Sequence, residues 1–366
     1  MTTVPTPQPL RGRRVVDLSQ FIAGSACGQL LADFGAEVTK VEPRAGDPAR
    51  ALGDTGSGSA YFRQYNTGKQ SRLLDLTDPV ERAELDEMLA AAEILVVNFS
   101  PRTLAKHGLD WPTLHARFPM LVVVVISAYG DGDERTAFDS IAQAVSGYAH
   151  VNADEAGAPR VTAGYPTDVL SGLYGGLSAA MVVLDPERVS GVLVDVAMVE
   201  VAMSALCGPA LLTAVETGAA PRGVGNRDIA TAPSTTFRCQ DGYAYVYAGL
   251  DKHWARLRSL VGGDDAPLER RLADPGRFEA AVSAWTRDQT VAAVCARMDE
   301  LGIPAGPILE PQVALREIQE RRPRAVVDAS CAGGPVPQFP VTFSGARVVR
   351  DPAPALPTHP RLTEEP

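Results

Sequence analysis

One carboxylate stands out in the stretch GYPTDVLSGLYGG, residues 164–176. Asp168 lies two positions after a proline and ahead of an apolar segment in which glycine recurs at 172, 175 and 176. The pattern predicts a helix beginning at Val169, with the acid at its N-terminus. Two readings follow. Asp168 caps the helix, the commoner work of an aspartate in that place, or the helix dipole keeps it ionised for use as a nucleophile. The glycines suit the second reading, since they leave room for a bulky group and for backbone donors to an oxyanion. Other reactive side chains offer less. Five cysteines, at 27, 207, 239, 295 and 331, show no CxxC spacing, which fits free thiols in a reducing compartment and argues against disulfides or zinc. Cys27, among apolar neighbours, reads as a buried, inert thiol. His107, His115 and His253 sit in polar helical contexts and read as surface or packing residues.

The elements that must position the acid are strands alternating with helices. RRVVDLS reads as a buried strand, QFIAGSACGQLLADFGA as a helix with Leu30, Leu31 and Phe34 at helical spacing, and EVTKVE as a second strand. VERAELDEMLAAA, EILVVNF, TLAKHG and MLVVVVISAYG continue the alternation, which implies a parallel sheet covered on both faces. AGSACG has small residues but not the order of a pyrophosphate turn, which argues against a dinucleotide site. GVLVDVAMVEVAMSALCGPALLTAV reads as a strand turning into a long apolar helix. The Gly-, Pro- and Ala-rich run ETGAAPRGVGNRDIATAPS reads as a linker. Beyond it stand a hairpin with an Asp-Gly turn, TTFRCQDGYAYVYAG, three helices (KHWARLRSLVG, RFEAAVSAWTRD and VAAVCARMDELG) and the extended IPAGPI. The expected organisation is a large domain over 1–205, a linker over 206–232, a small domain over 233–315, and a return to the large domain over 316–366, where VTFSGARVV reads as a strand.

Bulk properties set limits on partners. A formal net charge of -10 without a basic block argues against nucleic acid, although a local basic pocket for one anion is compatible with it. The opening MTTVPTPQPLRGRR is polar, and runs such as MLVVVVISA are too short to span a bilayer. The expectation is a soluble, cytoplasmic protein with no membrane partner and no metal.

Read in order, RVVDLSQFIAG, LLADFGAEVTKVEPRAGDPAR, NTGKQSRLLDL, AEILVVNFSPRTLAKHGLDW, FDSIAQAVSG, the Asp168 stretch, SGVLVDVAMVEV, LGIPAGPI and VTFSG resemble the family III (CaiB/BaiF-like) CoA-transferases over nearly the whole chain. That group includes formyl-CoA and carnitinyl-CoA transferases and α-methylacyl-CoA racemases. The resemblance implies an α/β fold with a Rossmann-like large domain and parallel sheet, a smaller inserted α/β domain, and an interlocked homodimer. It implies coenzyme A, as substrate and product thioester, with an acyl-CoA donor and a small carboxylic acid acceptor. Asp168 would be the nucleophile that forms a mixed anhydride. Arg44 would face the nucleotide phosphate, Lys69 and Lys106 would add positive charge, and Asn98 and Phe99 would border the adenine and pantetheine. Gln20 and Ala23 would line the same channel, with Arg135 as the cation of the following loop.

Three departures from the family pattern bear on function. Thr67 stands where the family commonly has arginine, with Arg72 as a compensating cation. The loop AYGDGDERTAFDSIAQA is acidic where a Gly-Pro pair is common. Phe138 precedes Asp139 where racemases of the family have histidine, so a two-base proton relay lacks one base. A CoA-transferase is therefore preferred over an acyl-CoA racemase or isomerase. A degenerate member that binds acyl-CoA without turnover is the third reading, which the retained Asp168 argues against.

Overall fold

The structure, a computed structural model, describes residues 6–53, 59–206, 214–219, 223–321, 327–328 and 336–357. The chain divides into two compact units, one of residues 1–146, 162–205 and 315–366, the other of residues 147–161 and 206–314.

The first unit is built on six strands: β1 (Arg14–Asp17), β2 (Glu37–Glu42), β3 (Gln70–Leu73), β4 (Ile94–Val97), β5 (Val122–Ser127) and β6 (Leu193–Ala197). All pair in parallel, in the order β3-β2-β1-β4-β5-β6. β4 and β5 read ILVV and VVVVIS, apolar without alternation, because both faces are covered. Ile94, Val96, Val122 and Val124 enter one core, and Leu95, Val97, Val123 and Val125 the other, as consecutive strand residues must.

The connecting helices are α1 (Ala23–Asp33), α2 (Ala60–Asn66), α3 (Pro79–Ala91), α4 (Pro101–Lys106), α5 (Trp111–Arg117), α6 (Asp139–Val145), α7 (Tyr148–Val151, in the second unit), α8 (Pro166–Leu184) and α9 (Met198–Ser204). α8 opens with Pro166 at its first position, where the missing N–H costs nothing. By length and composition it could cross a bilayer, with a mean hydropathy of 1.4; serine and glycine interrupt its apolar residues, so no contiguous run shows this. Its glycines are packing devices. A Cβ at Gly172 would stand 2.6 Å from the Ala23 carbonyl oxygen and 2.7 Å from the Ala26 Cβ, one at Gly176 3.2 Å from the Cys27 carbonyl oxygen, and one at Gly175 3.0 Å from Val124. They let α8 lie directly on α1 and β5, which replaces the expectation that they make room for an acyl group.

The tail of this unit forms a small hairpin, Thr342–Phe343 with Ala346–Arg347, instead of one strand. Phe339 and Phe343 meet Phe34 edge-on, and Arg350 holds Asp33 through two bonds of 2.8 and 2.5 Å.

In the second unit β7 (Ser234–Arg238) and β8 (Tyr243–Tyr247) form the hairpin, and β9 (Ala305–Pro307), from the IPAGPI segment, pairs antiparallel with β8. Helices Asp251–Val261, Pro275–Thr286 and Val291–Glu300 bring Trp254, Leu257, Phe278, Val282, Val294 and Met298 onto this sheet. Within 206–232, Arg227 binds Glu279 through both carboxylate oxygens at 2.7 and 2.9 Å.

Candidate active site

In a sheet of this order the chain leaves β1 and β4 in opposite directions, and the crevice beyond their C-terminal ends is where doubly wound folds bind ligands. Here residues 18–22 follow β1 and residues 98–100 follow β4. They are joined by one side chain. The Gln20 N–H donates to Asn98 Oδ1 at 2.9 Å, and Asn98 Nδ2 donates to the Gln20 carbonyl at 2.8 Å. A cavity of about 230 Å³ opens here, lined by Gln20, Ala23, Asn98, Phe99, Arg135 and Asp168 among others. A second, of about 540 Å³, runs past Arg44, Thr77 and His107. Both have Gln20, Phe99 and Ser100 as walls, so the two adjoin in one grooved surface, with Asp168 lining the first and Arg44 the second.

Asp168 is the third residue of α8, so the helix begins three residues earlier than the sequence pattern suggests. It does not cap that helix. The cap comes from α6, where Asp139 Oδ1 accepts the N–H groups of Thr167 at 2.7 Å and Asp168 at 3.2 Å. Gln143 Nε2 donates to the other Asp139 oxygen at 2.5 Å. Two first-turn donors of α8 are thereby occupied, and the Val169 N–H is bound to the Tyr165 carbonyl, so the oxyanion donors expected here are already in use.

Asp168 is 8% exposed, and among the described residues no donor or cation pairs with its carboxylate. Burial first, and the Asp139 charge second, push its pKa up to about 7. The rise runs against the expectation that the helix dipole keeps this acid ionised. Aromatic rings stand nearby: Phe21 meets Phe138 edge-on at 5.8 Å, and Tyr61 and Tyr165 share a 2.7 Å hydroxyl bond. Burial and the Asp168 charge raise the Tyr65 hydroxyl pKa. Phe21 and Tyr165, the residues one or two before α1 and α8, have φ of 60° and 55°, a left-handed backbone that costs energy for bulky residues and recurs at functional sites.

The residues expected to bind the ligand divide into groups. Gln20, Ala23, Asn98, Phe99, Arg135 and Asp168 come together at the first cavity, and Arg44 reaches the second. Arg44 is not a free cation, since Glu81 lies 2.9 Å away with Asp75 and Asp78 within 4 Å. Arg135 stacks on Tyr129 and pairs with Asp133 at 2.6 Å in the acidic loop, so it is not a free cation either. Lys106 is exposed on α4 and lines neither cavity. Lys69 is a correction. Its Nζ is fully buried, bonded to Asp17 Oδ2 at 2.8 Å, the Ser25 carbonyl at 2.9 Å and Asn66 Oδ1 at 2.9 Å, so it meets no groove. Thr67 is likewise interior, donating to Gln29 Oε1, and Arg72 pairs with Glu84, so neither changes the charge of the groove. Cys27 is sealed, and burial raises its thiol pKa.

Sequence reasoning singled out Asp139 only as the neighbour of a missing histidine. Its capping bonds span 28 and 29 residues, and no local signal announces them. Among the described residues no cluster of three His, Cys, Asp or Glu side chains could hold a metal ion.

Residues 10–360 match the family described as CoA-transferase family III. The chain is 30% identical to a succinyl-CoA–D-citramalate CoA-transferase of Chloroflexus aurantiacus, covering 84% of this chain and 80% of that one. It is 28% identical to a succinate–glutarate CoA-transferase of Agrobacterium fabrum over 90% and 88%. A crystal structure of a CAIB/BAIF family protein from Brucella suis superposes with a TM-score of 0.83 at 27% identity, covering 95% and 96% of the two chains.

Proposed function

This chain belongs to CoA-transferase family III and is a CoA-transferase, and from that premise we propose that it moves CoA from an acyl-CoA thioester to an acceptor carboxylate through covalent bonds to Asp168. The supporting observation is a buried carboxylate with no cationic partner among the described residues, on the wall of the first cavity. An acid whose pKa is near 7 is about half ionised at neutral pH and more basic than an ordinary aspartate, which suits attack on a thioester.

The steps balance without an outside reagent. The Asp168 oxygen attacks the thioester carbon and the CoA thiolate leaves, giving a mixed anhydride. The thiolate returns to the Asp168 carbonyl, releasing the first acid and leaving an aspartyl thioester. The acceptor carboxylate attacks that carbonyl, and the expelled thiolate takes the new acyl group from the second anhydride. Gln20, Asn98 and Phe99 would flank the thiol arm, and Arg44, on the wall of the second cavity, would meet the nucleotide end. The family's two-subunit assembly belongs to this reading. In its support, α8 leaves Leu173, Tyr174, Leu177 and Met181 exposed.

An α-proton relay is disfavoured, because Phe138 carries no proton and Asp139 is fully engaged by α8 and Gln143. The test is CoA exchange by an Asp168→Ala variant. Exchange is lost while CoA binding, measured by calorimetry, persists; an unaltered rate would remove Asp168 from the mechanism. Deuterium wash-in at the α-carbon without any acceptor acid would favour the isomerase instead.

A further inference from the structure

We infer that Lys40 and Asp47, which line neither cavity, are positioning residues that hold residues 19–21 in the backbone shape that brings Gln20 to the groove wall beside Asp168. The inference rests on the transferase reading of that groove.

The turn after β1 is bound at every backbone polar atom from the Ser19 nitrogen to the Phe21 nitrogen. The Ser19 N–H donates to Asp17 Oδ1 at 3.0 Å, and the Ser19 carbonyl accepts from Lys40 Nζ at 2.7 Å. Asn98 takes both groups of Gln20. The Phe21 N–H donates to Asp47 Oδ1 at 3.3 Å. Lys40 and Asp47 are themselves paired at 3.0 Å with no exposed side-chain surface beyond 1%, and Lys40 also donates to Ser25 Oγ at 3.1 Å in the first turn of α1. Asp47 is fixed in turn, since its N–H donates to Glu42 Oε2 and its Oδ1 also accepts from Ala49. One ion pair thus grips the turn on both sides of Gln20.

The turn needs gripping. Phe21 has a φ of 60°, which a bulky residue adopts only when its surroundings impose it. Gly24 of α1 presses on the same turn, where a Cβ would come within 2.1 Å of the Ser19 Cβ. A buried ion pair is poor evidence of added stability, and a role in fixing one conformation is among its better attested uses. Reacting groups tolerate little displacement, and a shift of ~1 Å can cost ~100-fold in rate.

The experiment uses the full-length protein with Lys40→Met and Asp47→Asn. Wild type is first screened with acetyl-, succinyl- and hexanoyl-CoA against their free acids, and the fastest pair is used throughout. For each variant, kcat and KM, CoA affinity by calorimetry, thermal unfolding, and hydrogen exchange of the peptide containing residues 19–21 are measured. The expected result is a kcat lower by ~100-fold, nearly unchanged CoA affinity, a folded protein, and faster exchange in that peptide alone. Asp47→Asn keeps the oxygen that accepts from Phe21 and Ala49, and it decides the matter if Lys40→Met does not fold. A folded variant with wild-type kcat overturns the inference. So does parallel loss of rate, CoA affinity and fold in both variants, which is what a merely structural pair would give. If Asp168→Ala transfers CoA at the wild-type rate, the reading of that groove itself fails, and that outcome is separate from those of the Lys40 and Asp47 variants.

Discussion

Two pairs of buried acids sit on either side of the N-terminal turn of α1, and the fold treats them in opposite ways. Below the turn, Asp17 and Asp47 are each matched to a lysine at 2.8 and 3.0 Å. At the head of α8, Asp168 and Asp139 face each other with no cation. Burial pushes Asp17 upward, but Lys69 and Lys40 outweigh it and hold its pKa below the usual carboxylate range. Burial likewise lowers Lys69, to about 8 against the pull of Asp17, so the pair is charged at neutral pH. Around Asp168 burial and the neighbouring acid act in the same direction, and the pKa rises to about 7. Burial alone therefore does not mark a reactive acid. What separates the two sites is whether the structure supplies a counter-charge.

The largest expected contrast comes from the same substitution in both places. Asp168→Asn lowers the transfer rate by ~10³-fold or more, as removal of a covalent nucleophile does, while Asp17→Asn acts on stability. Leaving Lys69 buried without its partner costs ~3–5 kcal/mol, read by urea unfolding. Asp168→Asn moves stability the other way. Below the ordinary value of 3.8 the side chain is protonated in both folded and unfolded chains, so there is no penalty. Between 3.8 and about 7 the unfolded chain ionises while the folded one keeps its proton, and stability falls as pH rises. The asparagine variant is thus more stable than wild type at pH 8 and equal to it near pH 3. A variant less stable at pH 8 would erase the distinction between the two acid sites.

A smaller effect is expected at the helix contact that carries the reactive acid. Gly172→Ala places a methyl group against α1 backbone with no side chain able to yield, and destabilises the fold by ~1–3 kcal/mol. Thermal unfolding at pH 8 measures it. Equal stability would mean that the α1–α8 contact is looser than these distances.

The finest change sharpens the origin of the shift. Asp139→Asn keeps an oxygen for the Thr167 and Asp168 N–H groups, gives up the bond from Gln143, and removes the charge facing Asp168. The acidic limb of the pH–rate profile, near pH 7 in wild type, moves to lower pH. A limb that stays in place would assign the shift to burial alone.

How much of this was legible in sequence follows from what each feature depends on. The parallel sheet was readable in ILVV and VVVVIS, because a strand covered on both faces must be apolar throughout. Asp168 was readable as the start of a helix. The extent of α8 was not, since Pro166 begins the helix while resembling a break before it. Nor was the work of its glycines, because the same residues serve close packing or an open pocket, and only the position of α1 decides. Lys69 reads in sequence as a cation for CoA, and its burial, like that of Lys40, goes with acids 52 and 7 residues away. Lys69 reaches Asp17 on β1 across β2, a pairing with no local pattern, whereas Arg44 and Arg135 are engaged by carboxylates on neighbouring segments and Lys106 stays exposed.

The central claim is that the unpaired acid of α8 carries the transferred group. Incubating the protein with acetyl-, succinyl- and hexanoyl-CoA, quenching in hydroxylamine, and mapping peptides by mass spectrometry tests it most directly. The account predicts a hydroxamate on the peptide containing Asp168, at a yield that falls as pH drops below 7. An unmodified Asp168 peptide alongside measured CoA transfer would contradict it.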